Sequence, residues 1–141
     1  MRYLAKRVER ICDELYRLRI VQRIPLTDLI CKKGTYIRPE AADAATPPWT
    51  SFDSRTMHWY GPDEHYWFRT EFTVPKALNG KAMWLNVRTQ VEGDDGKNPQ
   101  FLLFVNNVPV QGMDMNHRDV LLSPKAISGE KLVFDLQAYT G

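Results

Sequence analysis

The sequence predicts a mainly β protein, an antiparallel β-sandwich preceded by one N-terminal amphipathic helix. Three observations lead there. After position 55, short strand-like segments recur at spacings near ten residues, with tight turns between them and no crossover helices. Residues 66–74 alternate without a break between apolar and polar or outward positions, the two-residue period of a strand. Only residues 2–19 carry a helical period.

The helix comes first. Leu4, Val8, Ile11, Leu15 and Leu18 are spaced by four, three, four and three, which makes one apolar stripe, with Arg7, Arg10, Glu14 and Arg17 off it. Arg23-Ile24-Pro25 ends it, because the residue before a proline avoids the helical region. Such a helix is expected to pack on a sheet or a neighbouring domain. Residues 26–54 read as an extended connecting segment packed on the sandwich. Leu29-Ile30-Cys31 and Thr35-Tyr36-Ile37 flank Lys32-Lys33-Gly34 and predict a small hairpin; residues 39–48, rich in Ala and Pro, predict an extended crossing anchored by Trp49 and Phe52.

Residues 55–141 are expected to form the sandwich, in one structural domain with the segments before it. Tyr66, Phe68, Thr70, Phe72 and Val74 should face the core, and Trp67, Arg69, Glu71 and Thr73 the outside. Asn79-Gly80 signals a turn, after which Met83, Leu85 and Val87 point inward and Trp84, Asn86 and Arg88 outward. Residues 92–99 are a polar loop. The central feature is a hairpin: the apolar run Phe101 to Val105, a turn at Asn106-Asn107, and a return segment Val108 to Gln111. Pro109 lacks an N–H, so the return strand belongs at a sheet edge or Pro109 at a bulge. Val120-Leu121-Leu122 begins another strand. Leu132, Phe134, Leu136 and Ala138 form the inner face of the last one, with Lys131, Asp135 and Gln137 outside.

With 141 residues the chain suits one domain, large enough to bury a core without metal or disulfide staples. The net charge of +2 is too small to indicate nucleic acid or a membrane. It is unevenly spread, with seven basic and three acidic side chains in residues 1–25. Lys6, Arg7, Arg10, Arg17 and Arg19 lack the interleaved aromatics of a nucleic-acid face. Cys12 and Cys31 make no disulfide framework and are expected as reduced, buried thiols in a cytoplasmic protein. No run is long and apolar enough for a membrane span, and the charges at Arg7, Glu9, Arg10, Asp13 and Glu14 exclude a secretory signal.

Catalytic constellations are scarce. There is no G-x-S-x-G, no Gly-rich phosphate loop and no C-x-x-C. His58, His65 and His117 do not have zinc-ligand spacing, and Asp94-Asp95-Gly96 fails the calcium-loop pattern. Asp53, Asp63, Glu64 and Asp114 are not paired by spacing for glycoside cleavage. The candidate contact residues, for a sugar or for a domain interface, are the out-of-phase or clustered aromatics Trp59, Trp67 and Trp84 and the polar cluster Asn116, His117 and Arg118, which runs on into Asp119.

WFRTEFTVP (67–75), NGKAMWLNV (79–87), FLLFVNNVPVQGMDMNHRDVLL (101–122) and LQAYTG (136–141) together resemble the N-terminal domain of glycoside hydrolase family 38 alpha-mannosidases of the bacterial and cytosolic type. Trp67, Phe68, Arg69, Pro75, Gly80, Pro109, Val110, Gln111, Gly112, Asp114, Asn116, His117 and Arg118 match the family pattern, and Asn107 stands where that pattern usually has Gly. The resemblance covers residues 58–141, and the helix with Arg23 to Leu26 fits the family's opening segment. It implies a jelly-roll or galactose-binding-like sandwich that precedes a separate catalytic domain. That domain holds zinc and an Asp nucleophile for retaining hydrolysis of alpha-mannosides. Its opening His-x-His-Trp-Asp motif is absent here, so no catalytic, cofactor or metal residue carries over onto this chain. The implied partners are the catalytic domain of the same parent chain, a second copy in a homo-oligomer, and carbohydrate.

Overall fold

The computed structural model describes residues 2–89 and 98–141, with Arg2 as backbone only. Helix α1 (Arg2–Leu18) leads into β1 (Asp28–Lys33), α2 (Pro39–Ala44), β2 (Thr50–Asp53) and β3 (His65–Thr73). After a short 3-10 turn come β4 (Met83–Asn86), β5 (Gln100–Val105), β6 (Val108–Met113), β7 (Asp119–Ser123) and β8 (Lys131–Tyr139). Among the described residues these strands make a six-stranded sheet, in the order β2-β1-β3-β8-β5-β6, and a two-stranded sheet β4-β7. Every pairing is antiparallel. The protein is therefore mainly β, sandwich-like, with one N-terminal helix.

The centre is β8, held between β3 and β5. All nine of its residues pair with β3, from His65↔Tyr139 to Thr73↔Lys131. Its apolar alternation sends Leu132, Phe134 and Ala138 into the main core. There they meet Phe68 and Val74 from β3 and its end, Phe101 and Leu103 from β5, and Met83 and Val120 from the small sheet. The small sheet thus closes one face of the large one. The β5–β6 hairpin has its expected form. Asn106 and Asn107 have φ of 49° and 66°, so both central residues are left-handed. That is the type I′ pattern, which Asn serves as Gly does. Pro109 lies on the edge strand β6 beside a register shift at Leu103/Phe104, where a missing N–H leaves no sheet bond unmade.

Four expectations need correction. Thr35 to Ile37 do not form a hairpin with Leu29 to Cys31; β1 pairs with β2 and β3 instead, because partners distant in sequence bury more apolar surface. Within residues 39–48, Pro39–Ala44 are helical, with Pro at the first turn and three alanines behind it. The outward face assigned to Trp67 and Asp135 is covered: both are fully buried, beneath α2 with Ala42, Phe104, Tyr36 and Trp49. Finally, of the two packings expected for α1, the one on the sheet is not made, since its residues 3–18 are exposed, and Cys12 is exposed with them. Cys31 is half-buried, its Sγ 3.5 Å from the Thr50 hydroxyl. The polar loop of residues 92–99, including Asp94-Asp95-Gly96, lies largely outside the described residues.

Candidate functional site

The candidate residues separate onto three surfaces. Trp59 is a core ring, edge-on to Tyr66 (5.5 Å), Phe68 (5.4 Å) and Phe101 (5.8 Å). Trp67 lies on the opposite face of the large sheet, 5.5 Å from the Phe104 ring, with no exposed surface. Trp67 offers no platform to a ligand, and Trp59 keeps only a half-buried edge. Trp84 offers one: it is 59% exposed on the outer face of the small sheet, directly across from the exposed Leu121. Alternation puts Met83 under the sheet and Trp84 on top of it.

Asn116, His117 and Arg118 stand just before β7 in the chain. They lie in the loop between β6 and β7, at the end of the small sheet. Asp114 Oδ1 folds the loop, accepting the backbone N–H of Asn116 (2.8 Å) and of His117 (2.7 Å), with His117 Nδ1 at 3.0 Å. These backbone donors, His117 first, hold the Asp114 carboxyl below the usual carboxylate range. Arg118 Nε donates to the Met115 carbonyl, and the Arg118 carbonyl accepts Val87 N–H at 3.0 Å. Asp119 Oδ1 accepts from Asn86 Nδ2 at 2.8 Å, and Asn86 Oδ1 accepts from Arg88 Nε at 3.1 Å. The cluster is a rigid polar corner that leaves the His117 ring exposed beside an apolar sheet face. Leu121 also lines a shallow groove with Val105, Val110, Leu122 and Ile127. An apolar face with a fixed polar rim is the anatomy of a docking surface.

Two further sites were missed in the sequence. Under α2, Arg69 bridges the buried Asp135 (Nε to Oδ1, 2.6 Å) and Asp43 (Nη1 to Oδ1, 2.7 Å), with the Trp49 ring 4.8 Å from its guanidinium. Burial pushes the Asp135 carboxyl above its ordinary value, against the pull of Arg69. Lys32, 2% exposed, donates to the carbonyls of Ala42 and Ala45 and so caps the helix end. These pairs hold α2 on the sheet. The visible signal was polar residues in step with one another, Lys32, Arg69 and Asp135, on strands that alternation alone leaves unpaired. The second site is a groove by Trp59, Tyr60, Tyr66 and His58, where Lys33 Nζ meets Glu64 at 2.6 Å. Tyr60 is its exposed ring.

The histidines lie on separate elements: His58 before β3, His65 at its start, with its ring tilted 30° against Tyr139 at 4.9 Å, and His117 in the polar corner. Among the described residues no group of His, Cys, Asp and Glu side chains is placed to hold a metal ion. No helix of the described residues is long and apolar enough to cross a membrane. These features define a class: a mainly β, sandwich-like domain with one N-terminal helix. No protein-family model, no curated protein and no solved structure matches the chain.

Proposed function

We propose that this chain is the non-catalytic N-terminal sandwich of a family 38 alpha-mannosidase, a scaffold on which the catalytic domain of the same parent chain packs. The observation that carries the reading is the long match from Trp67-Phe68-Arg69 through Pro109 to Gly112 and on to Asp114, Asn116, His117 and Arg118. The geometry supports it. The matched residues form the centre of β3, the turn side of the edge strand and the polar corner, and that corner adjoins the exposed Trp84 and Leu121. The jelly-roll form of the sandwich and the cytoplasmic setting belong to the same proposal.

Purified as it stands, the chain is expected to leave aryl alpha-mannosides intact with or without zinc. A longer product of the same gene that includes a His-x-His-Trp-Asp motif is expected to cleave them, and Trp84→Asp in it should lower its melting temperature. Zinc-dependent turnover by the short chain overturns the proposal. The exposed Trp84 favours a second reading, a carbohydrate-binding module stacking sugar on that ring. Heat released by millimolar manno-oligosaccharide in titration calorimetry, and lost in Trp84→Ala, would replace the scaffold reading with this one.

A further inference from the structure

We infer that α1 is a self-association element, pairing antiparallel with the α1 of a second copy of this chain. This goes beyond the scaffold reading and does not rest on it. The seam is Leu4, Val8, Ile11, Leu15 and Leu18, each between 52% and 67% exposed. Their spacing of four, three, four and three averages 3.5 residues, the repeat that keeps a seam facing a partner helix along its whole length. Among the described residues nothing covers this seam. A 17-residue helix with no packed face is marginal in water, so its folding calls for a cover.

The flanking residues select the cover. Set antiparallel, Val8 meets Ile11 of the second copy and Leu4 meets its Leu15, a dry layer at each step. One flank then brings Arg7 against Glu14 of the second copy, and the two-fold axis repeats the pair. The other flank carries Ala5 and Cys12, both small and uncharged, which lets the backbones approach. Set parallel, Arg7 faces Cys12 instead and the helix dipoles align unfavourably. A membrane is a poorer cover, because Glu9 and Asp13 share the polar face with Arg10 and Arg17 and leave no uniformly cationic side. Burying on the order of 100 Å² per seam residue on both helices removes about 1,000 Å², near the lower limit for a specific interface. The pairing is therefore reversible and depends on concentration.

Sedimentation equilibrium of the full chain tests it. The mass should rise from 16.4 kDa toward twice that value as concentration increases. Ile11→Glu should return it to monomer, with the near-ultraviolet tryptophan signal unchanged as evidence that the sandwich still folds. Arg7→Glu alone should weaken the dimer at least several-fold, and Arg7→Glu with Glu14→Arg should restore it. In a Cys31→Ser background, Ala5→Cys should form an oxidised cross-linked dimer with Cys12 of the second copy. A mass that stays monomeric at every concentration overturns the inference. So does a dimer that survives Ile11→Glu, a cross-link between two Cys12 residues only, or binding of the chain to anionic phosphatidylserine vesicles with no dimer in their absence.

Discussion

The Asp114 Oδ1 atom organises the polar corner by receiving two backbone N–H groups and standing beside the His117 ring. Because those donors bond to the charged form, the folded-state pKa lies below the unfolded one. The hold on the loop is complete above the ordinary carboxylate range and is lost as pH falls through the lowered value. Amide exchange of Asn116 and His117 should therefore stay slow at pH 5. Asp114→Ala should speed it several-fold while leaving the urea midpoint of the whole domain unchanged, since the corner is exposed. Asp114→Asn, which keeps an acceptor, should fall between the two. Equal exchange in all three proteins would show that the corner is fixed by something other than this carboxylate. Arg69 works at the same scale. Burial opposes its charge, and the hydrogen bonds it donates to Asp43 and Asp135 outweigh that penalty, so its pKa is raised.

At the scale of elements, α2 depends on Lys32. The helix has only six residues and no side chain caps its start, so its end relies on the ammonium that binds the Ala42 and Ala45 carbonyls. Lys32→Ala leaves those acceptors unsatisfied and opens a cavity, at a cost of about 2–4 kcal/mol in urea unfolding. Lys32→Met keeps the aliphatic stem and should cost less. No difference between Lys32→Met and the unaltered protein would mean the ammonium contributes nothing net. What the sequence showed of these elements follows from the range of its signals. β3, the β5–β6 hairpin and β8 were legible because alternation and the Asn106-Asn107 turn are local. Alternation says which residues share a face, however, and not whether the other face is also covered. Trp67, Arg69 and Asp135 were assigned outside for that reason. The β1–β2 pairing was hidden because its partners are joined by sixteen intervening residues, Gly34 to Trp49, whose one strand-like piece, Thr35 to Ile37, offered β1 a nearer partner. α2 was hidden because six residues are too few to display a helical period. Among the candidate contact residues, Trp84 and the Asn116 to Arg118 cluster are exposed, and the alternation and polar run that single them out are local signals. Trp59 is half-buried, and a sequence cannot show the three rings packed against it.

At the scale of the whole molecule, stability and assembly are carried by different parts. The sandwich buries Leu103, Phe134 and Val120 between its two sheets, whereas the apolar stripe of α1, Leu4 to Leu18, is more than half exposed. Removing residues 1–25 should therefore shift the unfolding free energy of the remainder by no more than about 0.5 kcal/mol, the range of surface changes. Leu103→Ala, at a fully buried position between β8 and β6, should cost about 2–5 kcal/mol. Tryptophan fluorescence during thermal unfolding reads both effects, since every tryptophan lies between positions 49 and 84. For a domain of this size 1 kcal/mol corresponds to a few degrees. The truncated protein should melt within about 2 °C of the full chain when both are dilute, and the Leu103→Ala protein clearly below it. At high concentration the full chain alone should gain stability, because a dimer that forms only from folded copies draws the equilibrium toward them. A truncated protein that melts far lower even when dilute would mean that α1 is part of the sandwich core, and its seam would then have no surface left for a second copy.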